Sequence, residues 1–145
     1  MYTYKHPHPS VTADCIVFAR GKQPGVLLIE RGHDPYKGCW AIPGGFMNID
    51  ETTRHAAARE LAEETGLTIQ EEDLKPVGLF DGTDRDPRER VLSMAYYTVI
   101  DTEREVAGDD DAAKAGWFAI DNLPQLAFDH KQIIAAAIDL LKRKP

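Results

Sequence analysis

The feature that most constrains this chain is the segment of residues 45–67. A pair of glycines predicts a tight turn, and a short loop then leads into a helix that carries three glutamates. Residues three and four positions apart share one face of an α-helix, so Glu60 is expected to lie beside Glu63 and Glu64. Such a concentration of negative charge is costly unless a cation sits among the carboxylates. Clustered oxygen ligands suit a hard divalent ion, so the segment predicts a site for Mg²⁺ or Mn²⁺.

Composition limits the classes of partner. The chain has 145 residues, enough for one domain, and its 17 basic and 24 acidic residues give a net charge of −7. That charge disfavours a nucleic-acid partner, and it would also repel an anionic nucleotide unless metal ions reverse the local field. Cys15 and Cys39 lack the spacing of a zinc site or a disulfide framework. The sequence has neither an apolar signal core nor a segment of membrane-spanning length, so we expect a cytoplasmic protein that binds no membrane.

Apolar runs alternate with two helical patterns, and this order indicates an α/β fold. Thr52 and Gly66 are suited to cap a helix over residues 53–65, and apolar residues at helical spacing predict a second helix over residues 129–141. Residues 1–10, rich in proline, histidine and tyrosine, are expected to be extended, within a single domain that spans residues 1–145. Strands are expected at residues 11–19, 26–29, 40–43, 67–69, 74–80, 91–100 and 117–120, the first two as a hairpin, with loops at residues 81–90 and 101–116.

Glycines and charged residues recur at set distances within the segment of residues 45–67. Gly45 is followed after five residues by Glu51, then after seven by Arg59-Glu60-Leu61, and then at single-residue gaps by Glu63-Glu64 and Gly66-Leu67. This spacing resembles the signature of the Nudix family throughout. A solvated acidic helix face would explain the charges on the helix, but not Gly45 and Glu51 at their distances. The resemblance implies an α/β/α sandwich around a mixed β-sheet.

The resemblance also implies a reaction, the hydrolysis of a pyrophosphate bond in a nucleoside diphosphate linked to another moiety. Water is repelled by two negative phosphoryl groups until divalent metals neutralise their oxygens. Glu60 and Glu64 are the expected metal ligands, with Glu63 serving a second metal or a bridging water. In this family a backbone carbonyl of the glycine pair completes the ligand set, which here indicates Gly44 or Gly45.

Two further charged residues are expected to support these ligands. Glu51 is expected to fix the loop and Arg59, and Arg59 lies four residues before Glu63, so it can orient that carboxylate. In this family the general base often comes from a loop outside the signature. The acidic segment of residues 101–116 offers five candidates, among which the sequence does not choose, and a solvated acidic turn is the alternative interpretation. The five are Glu103, Glu105, Asp109, Asp110 and Asp111.

Four other segments, residues 31–38, 84–88, 108–112 and 126–130, resemble the ADP-ribose pyrophosphatase subgroup of the Nudix family. This resemblance implies that ADP-ribose is split into AMP and ribose 5-phosphate with Mg²⁺ or Mn²⁺. Arg31, Arg85 and Arg88 offer forked donors for phosphate oxygens, and Tyr36 or Phe128 could stack on adenine. Solvated arginines and a core phenylalanine are the alternative interpretations of the same residues.

Three functions therefore compete at the level of sequence. The first is ADP-ribose hydrolysis, and the second is hydrolysis of oxidised nucleoside triphosphates or of other nucleotide sugars. The third is a non-catalytic ADP-ribose sensor that controls DNA binding. A sensor would call for a helix-turn-helix module and a damaged signature, whereas the signature is intact and the chain ends at Pro145, just after the last expected helix. The expected partner is a small nucleotide, and the family's habits favour a homodimer.

Overall fold

The computed structural model describes residues 1–108 and 112–143. In this part of the chain, seven strands form one sheet and two α-helices cover it, which confirms the α/β class. Residues 1–9 adopt no strand or helix and are exposed. The elements in chain order are β1 (Ser10–Ala19), β2 (Gly25–Arg31), β3 (Trp40–Ala41), β4 (Gly44–Phe46), α1 (Thr53–Thr65), β5 (Lys75–Phe80), β6 (Val91–Ile100), β7 (Ala112–Ala119) and α2 (His130–Arg143), with a single 3₁₀ turn at Glu71–Asp73.

Strand β1 is the centre of a mixed sheet with the order β3-β2-β1-β6-β5. It runs parallel to β6 along its whole length, from the pair Ser10 and Val91 to the pair Ala19 and Ile100. On its other side β1 pairs with β2 only at its last residues and with the short antiparallel strand β4 nearer its start. Strand β7 pairs with β2, and β5 with β6. Two strands therefore share this side of β1, because β4 pairs with residues 12–14 and β2 pairs with residues 18–19.

The two helices lie on opposite faces of the sheet. Successive side chains of a strand point to opposite sides, so each helix packs against a different set of β1 residues. One buried cluster joins alternate residues of β1 to α1, and a second joins the intervening residues to α2. The first contains Ala13, Cys15, Val17, Ala56, Ala57 and Leu61, and the second contains Ile16, Phe18, Ile133, Ile134 and Ala137. This layering confirms the α/β/α sandwich. No helix of the described residues has the length and apolar character required to cross a membrane.

Helix α1 begins and ends where its caps predict. The hydroxyl of Thr52 accepts a hydrogen bond from the His55 amide, and Gly66 adopts a left-handed conformation with φ 77°. The Gly66 amide donates to the carbonyl oxygen of Ala62, which satisfies an orphan acceptor of the last turn. Buried Ala56 and Ala57 allow the helix to approach the sheet closely.

Three sequence-based expectations about local structure are wrong. The glycine pair forms strand β4 rather than a tight turn, because Gly45 and Gly44 pair with Ala13 and Asp14 of β1. Residues 67–69 form no strand, although Leu67 is buried in the core. The expected loop over residues 101–116 includes the first half of β7, which consists of alanine, lysine and glycine and pairs with the apolar strand β2. There, tertiary pairing overrides weak local preference.

Candidate active site

A cavity of about 320 Å³ lies where β1, β4, α1 and the start of α2 meet. Glu60 and Glu64 of α1 line it together with Gly44 and Gly45 of β4. A larger, open hollow of about 1040 Å³ lies beside the ends of β1 and β6, but none of the predicted site residues borders it. The smaller cavity is therefore the candidate active site.

The two glutamates of the cavity are held against the backbone of β4. The Gly44 amide donates to Glu64 Oε1 at 2.7 Å. The carboxyl group of Glu60 lies so close to Gly45 that a Cβ at that position would be 2.6 Å from Glu60 Cδ. Burial raises the pKa of Glu60, and the neighbouring carboxylates Glu63 and Glu51 act in the same direction, whereas Arg59 opposes them. Glu60 is thus a carboxylate whose charged form would gain from a cation in the cavity.

Glu63 is more exposed than the other two glutamates. Its side chain is 54% exposed, and Arg59 Nη1 lies 3.2 Å from Glu63 Oε2. The same Arg59 nitrogen lies 2.9 Å from Glu60 Oε1, so Glu63 lies beside Glu60 as expected, but it is outside the cavity lining. No group of three histidine, cysteine, aspartate or glutamate side chains within residues 1–108 and 112–143 is arranged to hold a metal ion. The cavity is lined by the carboxylates of Glu60, Glu64, Asp14 and Asp86 and by the backbone of β4. A role for Glu63 in binding metal stays a prediction.

Arg59 joins the helix to the loop that precedes it. Its Nε and Nη2 donate to the two carboxylate oxygens of Glu51 at 3.0 and 2.6 Å, and its Nη1 donates to Glu60 at 2.9 Å. The Arg59 hydrogen bond lowers the pKa of Glu51 to about 2, with a further contribution from the Asn48 amide. The contact expected between Glu51 and Arg59 is present. Neither residue lines the cavity, and Arg59 contacts Glu60 from outside it. Their catalytic importance stays a prediction.

Arginines and phenylalanines form another part of the cavity wall. The guanidinium groups of Arg31 and Arg88 lie 5.0 and 5.6 Å from the centre of the Phe128 ring, and Arg88 also lies 5.2 Å from the Phe46 ring. Asp86 accepts hydrogen bonds from Arg88 Nε and Nη2 at 3.0 and 2.7 Å, which fixes the direction of that side chain. This wall combines positive charge with aromatic surface.

Arg85 and Tyr36, two further predicted substrate contacts, are placed less directly. Arg85 lines the cavity, but its side chain is only 5% exposed and donates through Nε and Nη2 to Asp129 at 2.9 and 2.7 Å. The guanidinium group of Arg85 therefore already has a carboxylate partner. Tyr36 is outside the cavity lining, with its ring 4.8 Å from that of Phe128. Tyr36 thus supports Phe128 from outside the cavity, and direct substrate contact by Arg85 or Tyr36 stays a prediction.

Sequence reasoning missed the polar floor of the cavity. Asp14 and His130 are both nearly buried, at 4% and 5% exposure, and both line the cavity. Ser93 Oγ donates to Asp14 Oδ2, and His130 Nδ1 accepts the Ile42 amide at 3.0 Å. Burial raises the pKa of Asp14 and lowers that of His130. The available signal was an aspartate in the middle of an otherwise apolar strand.

The candidates for a general base in the segment of residues 101–116 that the structure describes lie away from this cavity. Glu103 and Glu105 are exposed and do not line the cavity, and Glu103 lies against Gly25 at the start of β2. Asp109, Asp110 and Asp111 lie outside the described residues. The choice of a general base stays open at this point.

The fold is an α/β/α sandwich, and two helix glutamates and three arginines line one cavity in it. The family model of the NUDIX domain matches residues 8–137, and the chain belongs to the Nudix family. It is 43% identical over 128 residues to the ADP-ribose pyrophosphatase of Methanocaldococcus jannaschii, a match that covers 88% of this chain and 72% of that protein.

Two solved structures extend this similarity. The NUDIX domain of Shewanella oneidensis NrtR, in complex with ADP ribose, matches with a TM-score of 0.87 and 26% identity, over 97% of this chain and 94% of that one. A bifunctional NMN adenylyltransferase/ADP ribose pyrophosphatase from Francisella tularensis, in complex with AMP and a Mn ion, matches with a TM-score of 0.82 and 32% identity. That match covers 94% of this chain but only 43% of the bifunctional protein.

Proposed function

We propose that this chain hydrolyses the pyrophosphate bond of ADP-ribose and releases AMP and ribose 5-phosphate. The observation that carries the proposal is that one cavity is lined by both acidic and basic groups together with an aromatic ring, namely Glu60, Glu64, Arg31, Arg88 and Phe128. An anionic, aromatic ligand matches this combination, because the arginines complement phosphate and the phenylalanine complements a base. The relatives support the choice of ligand, since one is named for ADP-ribose hydrolysis and another was solved with ADP ribose.

The donor set of the cavity fits a divalent cation, and we propose Mg²⁺ or Mn²⁺. Glu60 and Glu64, with a backbone carbonyl of Gly44 or Gly45, would hold it through oxygen atoms alone. The absence of a side chain at Gly45 leaves the space that the Glu60 carboxyl group occupies. When bound, the ion neutralises phosphoryl oxygens and lowers the pKa of its water. Glu63, which keeps an exposed carboxylate nearby, is proposed to serve a second ion or a bridging water.

The remaining residues of the cavity bind and orient the substrate in this proposal. Arg88, fixed by Asp86, and Arg31 donate to the pyrophosphate oxygens, which holds the scissile bond beside the glutamates. Phe128 packs against the adenine ring, and Tyr36 supports Phe128 from the solvent side. Arg85 keeps Asp129 in place at the start of α2.

The test is a panel of substrates assayed with Mg²⁺ or Mn²⁺ for kcat/KM. The panel contains ADP-ribose, ADP-glucose, NADH, a dinucleoside polyphosphate and 8-oxo-dGTP. We expect ADP-ribose to be among the best substrates and to yield AMP. A clear preference for 8-oxo-dGTP or another nucleotide sugar would replace ADP-ribose with that alternative. Tight ADP-ribose binding without turnover would instead support a sensor.

We also propose that the chain is a single-domain cytoplasmic homodimer whose partner is the small-molecule substrate and not nucleic acid. The free thiols of Cys15 and Cys39 support a reducing compartment, and the net charge of −7 opposes binding to a phosphate backbone. Sedimentation analysis with and without ADP-ribose and a DNA fragment tests assembly and partner together. A monomer, or a complex with the DNA, would contradict this part of the proposal.

A further inference from the structure

His130, at the first turn of α2, accepts a hydrogen bond from the main chain of another element. Its Nδ1 lies 3.0 Å from the amide nitrogen of Ile42. Because the amide can only donate, Nδ1 must carry a lone pair, and the ring proton is therefore on Nε2. Burial lowers the pKa of His130, which favours the neutral ring that this contact requires. The tautomer of His130 is thus set by the backbone of residue 42.

The Ile42 amide begins a segment that leads directly into the candidate active site. Ile42, Pro43 and Gly44 connect β3 to β4, and each contributes one main-chain hydrogen bond to a different element. The Ile42 amide donates to His130 of α2, the Pro43 carbonyl accepts from the Cys15 amide of β1 at 2.8 Å, and the Gly44 amide donates to Glu64 of α1. Three elements therefore fix the path of three consecutive residues.

The position of this segment decides where the glycines of β4 lie. Gly44 packs so tightly on Asp14 that a Cβ would be 2.3 Å from Asp14 Oδ1, and a Cβ at Gly45 would be 2.6 Å from Glu60 Cδ. His130 Nε2 lies 4.0 Å from Asp14 Oδ2, so the same ring faces both the segment and the residue beneath Gly44. Because Gly44 and Gly45 follow Ile42 by only two and three residues, a shift of Ile42 would move them as well.

We propose that His130 is a positioning residue of this site, which holds the backbone of residues 42–45 against Glu64 and Glu60 by accepting the Ile42 amide. The inference rests on the proposed function, because it assigns those two glutamates and that backbone to a divalent ion. Residues that orient metal ligands from behind typically change metal affinity or activity by about 10- to 100-fold when they are replaced. In this role His130 acts through the main chain of residues 42–45.

Two substitutions separate the hydrogen bond from the shape of the ring. His130→Asn keeps an acceptor, because its Oδ1 occupies the place of Nδ1, but loses most of the ring volume. His130→Phe keeps a ring but has no acceptor. The exposed His6→Asn in the N-terminal segment is the matched control. The dissociation constant of Mn²⁺, measured by electron paramagnetic resonance, reports on the site without substrate.

We expect His130→Asn and His6→Asn to bind Mn²⁺ as the unchanged protein does, and His130→Phe to bind it about tenfold more weakly or worse. The reverse order, with His130→Phe unaffected and His130→Asn impaired, would show that the ring serves packing and would overturn the inference. Unchanged affinity in both variants would overturn it as well. If His130→Phe does not fold, His130→Gln takes its place with the same expectation, since its amide oxygen lies one bond further from the main chain.

Hydrogen–deuterium exchange tests the inference independently of metal and substrate. The Ile42 and Gly44 amides should exchange faster in His130→Phe than in His130→Asn, while the amides of α1 beyond its first turn exchange equally in both. Equal protection of Ile42 in the two variants would refute the role of His130. If the unchanged protein neither binds Mn²⁺ nor hydrolyses ADP-ribose, the proposed function fails, and the exchange measurement still decides whether His130 holds this segment.

Discussion

Replacing Gly45 with alanine should damage the site while leaving the fold intact. The added Cβ would lie 2.6 Å from Glu60 Cδ and 2.7 and 2.8 Å from the two carboxylate oxygens. To restore an ordinary separation of 3.4 Å, the carboxyl group must move by about 0.8 Å. The atoms that must move are the far end of a flexible side chain, and Gly45 has no positive φ, so strand β4 accepts the substitution.

The expected cost follows from this displacement. A misplacement of about 1 Å in a catalytic constellation can lower the rate about 100-fold, which corresponds to about 2.7 kcal/mol in the barrier. We therefore expect kcat/KM of Gly45→Ala for ADP-ribose to fall about 100-fold, with an unchanged denaturation midpoint. The assay is hydrolysis at saturating Mg²⁺, together with urea unfolding of the same preparation.

Two other glycines provide controls. Gly116 lies in β7, and a Cβ added there meets nothing within 4 Å, so Gly116→Ala should leave both activity and stability unchanged. At Gly44 the Cβ would lie 2.4 Å from the main-chain oxygen of Ala13, and a backbone atom cannot move aside cheaply. Gly44→Ala should therefore lower the unfolding free energy, by about 1–3 kcal/mol for overpacking. Full activity of Gly45→Ala would refute the assignment of Glu60 to the site.

Two further predictions concern ion pairs. Asp129→Asn should lower the free energy of unfolding, measured in urea, by about 3 kcal/mol, because it leaves the buried guanidinium of Arg85 without its charged partner. A loss below about 1 kcal/mol would be typical of an exposed pair. Arg59 lowers the pKa of Glu51 from 4.5 to about 2, so its stabilising effect is complete above pH 4.5 and is lost as the pH falls towards 2. Over that range the free energy of unfolding should fall more for the unchanged protein than for Glu51→Gln. The exposed Glu72→Gln is the control, and equal losses in the unchanged protein and Glu51→Gln would contradict the role of the Arg59–Glu51 pair.

Local chemistry allowed part of the fold to be predicted. The caps Thr52 and Gly66 act within a few residues of α1, so its limits could be derived from sequence. The strand over Val91–Ile100 was equally clear from its aromatic and β-branched residues. In contrast, the start of β7 and the extended form of the glycine pair are imposed by partner strands distant in the chain. Those features depend on tertiary pairing, which no local pattern encodes.

The site divides in the same way. Glu60 and Glu64 share a helix face, so their common position was predictable, whereas the exposure of Glu63 depends on how the helix packs against the rest of the chain. Asp14 and His130 lie at opposite ends of the sequence and meet only because α2 packs against the sheet beside β1. A sequence can reveal that Asp14 interrupts an apolar strand, but it cannot reveal which residue faces it.

The central claim is that Glu64 and a divalent ion together promote hydrolysis of the ADP-ribose pyrophosphate. The most direct measurement quantifies AMP and ribose 5-phosphate released by the unchanged protein and by Glu64→Gln, with Mg²⁺ or with EDTA. Glutamine keeps the oxygen that accepts the Gly44 amide, so the variant should fold normally. We predict equal amounts of the two products from the unchanged protein with Mg²⁺, and a loss of orders of magnitude with EDTA or in Glu64→Gln. Rapid AMP formation by a folded Glu64→Gln protein, or in EDTA, would contradict the account.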